Sequence, residues 1–341
     1  MKKEAMNPQS RPFNILFTSA GRRVALLRSF RCAYEQLGLA GKILATDIDP
    51  LASALQVADA FYIVPRLECP EYIPTLHDIC VREDIRLIFP LIDLDIPILA
   101  RHRRVIEQTG ARLAVIPSES VDIVGDKWMT FHFFQRLGLP TPTTWLAADP
   151  AVLQQSFPLF IKPRRGSASQ HVYKVRNRKE LDFFSEYVPD AVIQEFLPGP
   201  EITSDVVCDL DGKVLTVVSR QRIEVRSGEV AKGVTLHDAF IEAACRKIAQ
   251  ALPAVGPITV QCILKDKRPY FSEINARMGG GFPLGIKAGV DSPKLLLARI
   301  AGLPVDMTYT GDYVSGLHFT RYDDAFFLSQ AEHEQIVRRH L

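Results

Sequence analysis

Three oxygen-bearing side chains carry the first chemical signal: Gln261 in ITVQCIL, and Glu273 with Asn275 in YFSEINARMGGG, the two stretches being separated by a KDKRP turn. If both stretches are strands, alternation puts Gln261 on one face of the first, and Glu273 and Asn275 together on one face of the second. Carboxylate and amide oxygens suit Mg²⁺, which takes a few protein ligands and completes its shell with water and substrate phosphates. Arg277, two positions further along the same face, is placed to stabilise charge on a transferring phosphoryl group. A solvent-facing polar stripe would alternate in the same way, but the apolar neighbours Phe271, Ile274 and Met278 argue against full exposure.

Two further segments are basic. Lys162-Pro163-Arg164-Arg165-Gly166-Ser167-Ala168-Ser169 puts a lysine at a strand end and follows it with small residues. Such a loop can bring backbone N–H groups close to phosphate oxygens while the lysine neutralises charge. It is not a Walker A loop, and taken alone it is more often an ordinary hairpin. The stretch Arg220 to Glu229 concentrates three arginines in seven residues, for which a solvated strand is the default reading. On a continuous strand, however, Arg220, Arg222, Glu224 and Arg226 share a face. Guanidinium groups suit carboxylate and acyl-phosphate oxygens, so Arg222 and Arg226 become candidate contacts, with Lys232 a weaker one.

The elements that must position these groups follow from periodicity. From residue 13 short apolar runs alternate with helical patterns: FNILFTS, a helix from about Ala20 to Leu37, KILATD, FYIVP, a helix around 71–83, RLIFPLID, a helix near 95–108, and RLAVIP. That rhythm predicts a parallel α/β sheet, Rossmann-like, ending near residue 120. GDKWMTFHFFQRLGLPTPTTW then reads as an amphipathic helix closed by Gly138 and Pro140, opening a compact α+β unit. Beyond Pro200 the pattern changes to long antiparallel strands, EITSDVVCDL and GKVLTVVSRQRIEV, joined by Asp211-Gly212.

In the first lobe, Thr18-Ser19-Ala20-Gly21-Arg22-Arg23 follows the first strand and Asp47-Ile48-Asp49-Pro50 the second. A glycine turn with an acid downstream invites a dinucleotide reading, but the full G-x-G-x-x-G is absent. Ser19, Arg22, Asp47 and Asp93 fall at strand C-termini, where open α/β sheets bind ligands; capping of the following helices by Ser19 or Asp49 is an equal alternative.

Lys162 before a small-residue loop, then Gln194-Glu195-Phe196-Leu197-Pro198-Gly199-Pro200-Glu201, then Glu273-Ile274-Asn275-Ala276-Arg277, occur in the order characteristic of ATP-grasp enzymes. Over about residues 13–302 the sequence resembles the carbamoyl-phosphate-synthase-like branch of that superfamily. The resemblance implies an α/β fold with a Rossmann-like lobe followed by the two α+β lobes of the grasp. The boundaries would be a flexible tail at 1–12, a Rossmann-like domain at 13–120, a small lobe or lid at 121–198, and a large lobe with the metal site at 199–341.

The resemblance also implies roles. Lys127 and Lys162 look like the two basic contacts to the ATP phosphates, and Gly166, Ser167 and Ser169 like the mobile phosphate lid. Glu195, Phe196 and Leu197 look like the hinge that reads adenine, and Glu201 like the acid that holds the ribose. Gln261, Glu273 and Asn275 resemble the ligands for Mg²⁺, with Mn²⁺ as an alternative metal. Arg277 resembles the arginine beside the γ-phosphate, although Ala276 stands where a proline is usual. The stretch with Arg222 and Arg226 would border the acceptor-carboxylate site. Together these imply a Mg-ATP-dependent ligase that makes an acyl phosphate and joins it to an amine-type nucleophile. A regulatory ATP-binding protein, or half of a carbamoyl-phosphate-synthase-like assembly, are the alternatives.

Composition bounds the partners. The 341 residues, 47% of them apolar, are enough for two or three lobes, and a net charge of +2 gives no electrostatic case for nucleic acid or an anionic membrane. MKKEAMNPQS lacks a signal-peptide core, and no stretch approaches the roughly 20 apolar residues of a membrane span. A cytoplasmic protein is expected, acting on small-molecule carboxylate and amine substrates, with a homodimer as its open form of self-association. The six cysteines have no metal-ligand spacing and read as reduced, buried thiols, and the eight histidines support neither a zinc site nor a catalytic triad.

Overall fold

The computed structural model describes residues 12–166, 170–226, 228–304 and 311–338. The expected flexible tail therefore lies outside the described residues apart from residue 12, as do Ser167 and Ser169 of the expected lid. Residues 12–115, 293–304 and 324–338 form one compact unit, and 116–292 with 311–323 form a second.

In the first unit the apolar runs become β1 (Asn14–Thr18), β2 (Ile43–Asp47), β3 (Ala60–Ile63), β4 (Ile85–Pro90) and the short β5 (Arg112–Leu113), all parallel in the order β3-β2-β1-β4-β5. β1 and β2 are buried along their whole length, as expected of a parallel sheet covered on both faces. The crossovers are α1 (Val24–Leu37), α2 (Tyr72–Arg82), and α3 (Asp95–Arg101) with α4 (Arg103–Glu107). Phe17 of β1, Phe30 of α1 and Phe89 of β4 pack with ring centroids 4.9 to 5.3 Å apart, joining helix to sheet.

Two helices differ from the sequence expectation for local reasons. α1 starts at Val24 rather than Ala20, because residues 20–23 form a turn in which Gly21 sits at φ +50° and its N–H is held by Asp47 Oδ2 at 2.7 Å. The single helix expected near 95–108 breaks at His102, whose Nδ1 bonds the Ile98 carbonyl at 2.9 Å.

The second unit opens with α5 (Ser118–Gly125) and α6 (Lys127–Arg136). β6 (Thr144–Leu146), β7 (Leu159–Pro163), β8 (Tyr173–Val175), α7 (Arg178–Tyr187) and β9 (Ala191–Glu195) follow, with a four-stranded sheet in the order β6-β9-β7-β8. Leu159, Ile161, Val175 and Ile193 bury one side of this sheet with Leu181 of α7.

Beyond the hinge come β10 (Glu201–Cys208), β11 (Val214–Arg226), β12 (Glu229–Leu236), α8 (Ala239–Ala251), β13 (Pro257–Lys265), β14 (Arg268–Asn275) and α9 (Phe282–Lys287). α10 (Ser292–Ile300), β15 (His318–Thr320) and α11 (Gln330–Arg338) complete the chain. The large sheet runs β14-β13-β10-β11-β12-β15 with every pairing antiparallel. The apolar stripe of α8, with Ile241, Ala244, Cys245 and Ile248 buried, packs on β10 and β11.

The expected large lobe at 199–341 is interrupted. Residues 293–304, where Leu296 and Leu297 of α10 are buried, and residues 324–338 belong to the first unit. Among the described residues no helix is long and apolar enough to cross a membrane. Four cysteines, Cys80, Cys208, Cys245 and Cys262, are buried as expected, whereas Cys32 is exposed.

Candidate functional site

The site is built on one face of the six-stranded sheet. Directly paired residues of antiparallel strands project to the same side, so the registers define rows. Glu273, Gln261, Thr203 and Arg220 form one row across β14, β13, β10 and β11; Asn275, Thr259 and Asp205 form the next, and Glu201 pairs with Arg222. The expected oxygen ligands Gln261, Glu273 and Asn275 thus converge on one face, each half-buried. Among the described residues none of the three side chains makes a hydrogen bond or an ion pair. One carboxylate and two amides fit a divalent cation that brings further oxygen ligands with it, and among the described residues no group of three or more His, Cys, Asp or Glu side chains offers a rival metal site.

Opposing this face chemically is the basic set. Lys162, on β7, is half-buried, yet its ammonium is withdrawn from water. Desolvation pushes its pKa down to about 8, Glu273 pulls it back, Lys127 adds to the push, and Glu201 opposes it. Lys162 therefore lies in the fields of Glu273, Lys127 and Glu201. Lys162 Nζ donates to Gln194 Oε1 at 2.9 Å, Gln194 Nε2 donates to Thr144 Oγ1 at 2.8 Å, and Thr144 donates to the Pro142 carbonyl at 3.0 Å. This buried relay fixes the lysine's direction, and neither Gln194 nor Thr144 was singled out in the sequence.

Lys127 is set by an anchor that local pattern half reveals. Asp126, fully buried, caps α6 by accepting from Trp128 N and Met129 N, and takes Arg164 Nε at 2.8 Å. Burial opposes ionisation of Asp126, but the Arg164 hydrogen bond and the helix N–H groups outweigh it and hold the carboxyl below its usual range. Lys127 N donates to the Arg164 carbonyl at 2.9 Å and Lys127 Nζ to the Gly166 carbonyl at 3.0 Å. The start of α6 and the end of β7 are thereby pinned together. Of the expected lid, Gly166 is described, at φ +125°, while Ser167 and Ser169 lie outside the described residues.

At the hinge, the Glu195 carboxylate accepts from Thr143 N and faces Lys265 at 3.5 Å, and its own N–H is taken by the Thr143 carbonyl. Leu197 is buried, and its backbone forms no hydrogen bond among the described residues, leaving a donor and an acceptor for an adenine edge. The Phe196 ring packs against Phe160, with Lys174 Nζ 3.7 Å from its centroid. Gly199 is required: a β carbon there would run into the Leu264 carbonyl oxygen of β13. Glu201 begins β10 and is bridged by Arg222 at 3.1 Å.

The arginine stretch divides. Arg220 is 3% exposed and paired with Asp205, and Arg222, 11% exposed, lies beside Glu201. Arg226 does not join them. Register shifts between Arg222 and Glu224 and between Glu224 and Val225 break the alternation, leaving Ile223 and Val225 exposed and Arg226 at the surface, 3.6 Å from Asp323. Lys232 is likewise exposed and pairs with Glu224. Arg277, half-buried, donates from Nη1 to the Met278 carbonyl at 3.3 Å.

In the first unit, Ser19 and Asp47 are used internally. Ser19 and Thr18 donate their hydroxyls to Asp95 Oδ1 and Oδ2 at 2.9 and 2.6 Å, and Asp47 accepts from Gly21 N and Asp49 N. Ser19 does not cap α1, whose first turn has no side-chain cap, and Asp49 accepts from Leu51 N at 2.9 Å without capping the 3₁₀ turn at Ser53–Val57 that follows. Asp95 is completely buried, and desolvation raises its carboxyl to about 6 despite the two hydroxyls.

Both units have counterparts among known protein families. Residues 124–281 match the ATP-grasp domain family and residues 15–114 the PylC-like, N-terminal domain family. The carbamoyl phosphate synthase large chain of Pyrococcus furiosus is 28% identical over 230 residues, which are 61% of this chain but only 21% of that one. Among solved structures, the biotin carboxylase domain of the Hydrogenobacter thermophilus 2-oxoglutarate carboxylase superposes with a TM-score of 0.71 at 19% identity, covering 90% of this chain and 73% of that one. The L-amino acid ligase of Bacillus licheniformis gives 0.65 at 21% identity, covering 86% and 75%. At these identities the structural likenesses establish the fold.

Proposed function

We propose, for a chain of the ATP-grasp superfamily, that it uses Mg-ATP to activate a carboxylate and joins it to an amine-type nucleophile, releasing ADP and phosphate. In the first step a carboxylate oxygen attacks the γ-phosphorus and the bond to the β–γ bridging oxygen breaks. In the second, the amine nitrogen attacks the acyl carbon, the carbon–oxygen bond to phosphate breaks, and the nitrogen loses a proton. The observation that carries this reading is the set Gln261, Glu273 and Asn275, whose side chains have no hydrogen-bond partner among the described residues, on the face that also bears Glu201 and Arg222, with Glu273 acting on Lys162.

Each residue has a task. Lys127 and Lys162 neutralise the phosphates, Lys162 aimed by Gln194. The Leu197 backbone and the hinge at Glu195 and Phe196 take adenine, Glu201 takes the ribose, and the loop from Gly166, with Ser167 and Ser169, excludes water from the acyl phosphate. Gln261, Glu273 and Asn275 hold the metal, which supplies Lewis-acid neutralisation of the γ-phosphoryl charge. Arg277 stabilises the transferring group, and Arg222 receives the carboxylate or the acyl phosphate. The similar biotin carboxylase domain is a dimer, and self-association of this chain is checked by light scattering.

An ADP-release assay over a panel of carboxylates, bicarbonate included, crossed with a panel of amines tests the proposal. ADP release that requires both partners supports ligation. Release with a carboxylate alone indicates a kinase or an uncoupled half reaction. Release with bicarbonate and ammonia only favours half of a carbamoyl-phosphate-synthase-like assembly, and Mg-ATP binding with no release under any pair favours a regulatory protein.

A further inference from the structure

The segment after β14 carries Arg277 and then three glycines, Gly279, Gly280 and Gly281, before α9. Arg277 N donates to the Asn275 carbonyl at 2.8 Å, and the Arg277 carbonyl accepts from Thr259 Oγ1 at 2.9 Å. Beneath the glycines lies the Arg220–Asp205 pair, 3% and 5% exposed. A β carbon at Gly281 would run into the Arg220 guanidinium, and one at Gly279 would crowd Arg220 Nη2, Asp205 Oδ1 and Thr259 Oγ1 at 3.0 to 3.2 Å. A second arginine arrives from the edge of the sheet. β15 pairs with β12, Arg321 N donates to the Ala231 carbonyl at 2.9 Å, and the Arg321 guanidinium joins the Glu229 carboxylate to the Gly280 carbonyl, the latter at 2.6 Å.

Three consecutive glycines lose more conformational freedom on ordering than any other tripeptide, so they hold one path only where neighbours fix it. We propose that Arg321 with Glu229, and the buried Arg220–Asp205 pair, are positioning residues that clamp the 276–281 segment and so set where Arg277 presents its guanidinium. The assignment rests on the nucleotide-site reading above. It gives the C-terminal stretch, which carries no readable motif, a task in the site, and it explains why the loop has glycine at 279 and 281: a side chain at either would lift it off Arg220. Loosening the clamp leaves the hinge and the lysines untouched, so the loss falls on the transition state rather than on nucleotide binding.

The test uses the full chain as wild type, Arg321→Gln, Arg321→Lys and Gly281→Ala, with two readouts. The first is amide hydrogen exchange at Arg277, Phe282 and Leu284, whose N–H groups are bonded within or beside the loop. The second is kcat and KM for ATP in ADP release. In Arg321→Gln the loop amides should exchange about tenfold faster or more. Its kcat should fall on the order of 10- to 100-fold, the scale of a displacement of about 1 Å, with KM for ATP within about twofold. Arg321→Lys should regain most of both, and Gly281→Ala should show the same loss confined to kcat. Unchanged exchange in Arg321→Gln overturns the clamp, and a loss that falls on KM for ATP overturns the link to Arg277. The exchange measurement needs no substrate, so a wild-type chain that releases no ADP removes the nucleotide-chemistry reading while the clamp is still decided.

Discussion

Two groups of oxygen-bearing side chains treat their lone pairs in opposite ways. In the first unit, Asp47 ends β2 and Asp95 opens α3, and both spend their carboxylates on the chain itself, on the Gly21 and Asp49 N–H groups and on the Thr18 and Ser19 hydroxyls. In the second, Gln261, Glu273 and Asn275 share a sheet face and bond to nothing among the described residues. The first arrangement is self-sufficient, whereas the second, half-buried, leaves its oxygens open to water or to a ligand. The contrast separates residues that hold a fold from residues to which the proposal gives chemistry.

The largest effect that breaks or sustains this contrast is Glu273→Gln. Turnover in the ADP-release assay should fall by about 10³-fold or more, because the only carboxylate of the donor set is lost. The thermal midpoint should move by no more than about 2 °C, since Glu273 makes no hydrogen bond or contact ion pair among the described residues and its field on Lys162 acts at longer range.

Asp95→Asn should do the reverse and act on stability alone. The Asp95 carboxyl is raised from 3.8 to about 6 in the folded chain. The folded state therefore holds its proton more tightly than the unfolded state, and the group's favourable contribution, full below about pH 4, is lost as pH rises through 6. The wild type should lose about 2 kcal/mol relative to the Asn variant between pH 4 and 7, read from urea midpoints at the two values.

Lys162 joins both columns of the comparison. Its pKa falls from 10.5 to about 8 on folding, so the charged form is disfavoured below pH 8 and the penalty vanishes only above the ordinary lysine range. Lys162→Met should weaken Mg-ATP binding by about 100-fold, as for a lost charge-assisted contact, by calorimetry. The same variant should gain up to about 2 kcal/mol of stability at pH 7, less than the full shift because the side chain is half-buried and gives up its bond to Gln194. The smallest effect belongs to Arg226→Ala: an exposed ion pair contributes under about 1 kcal/mol, so kcat and KM should stay within about twofold of wild type.

Strand alternation was enough to put Glu273, Asn275 and Gln261 on one face, because β13 and β14 keep their pairing through all three residues. The same rule misplaced Arg226, since the shifts that follow Arg222 leave no mark in residue type. The parallel order of the first unit was readable from the rhythm of apolar runs, whereas the break at His102 depends on one side chain turning back to Ile98. Contacts over long sequence separations were the least visible. Asp126 is held by Arg164, 38 residues away, and Arg321 reaches Glu229 across 92. The return of 293–304 and 324–338 to the first unit had no local signal either.

A donor set with a single carboxylate also fixes the order in which things arrive. If the three residues hold the metal as proposed, one negative charge opposite two lysines has little pull on a free hydrated dication, and the cation would come in already chelated to its nucleotide. The empty chain should therefore be indifferent to EDTA in a melting experiment, and the rate should follow the concentration of the Mg-ATP complex, with free ATP competing as an inhibitor.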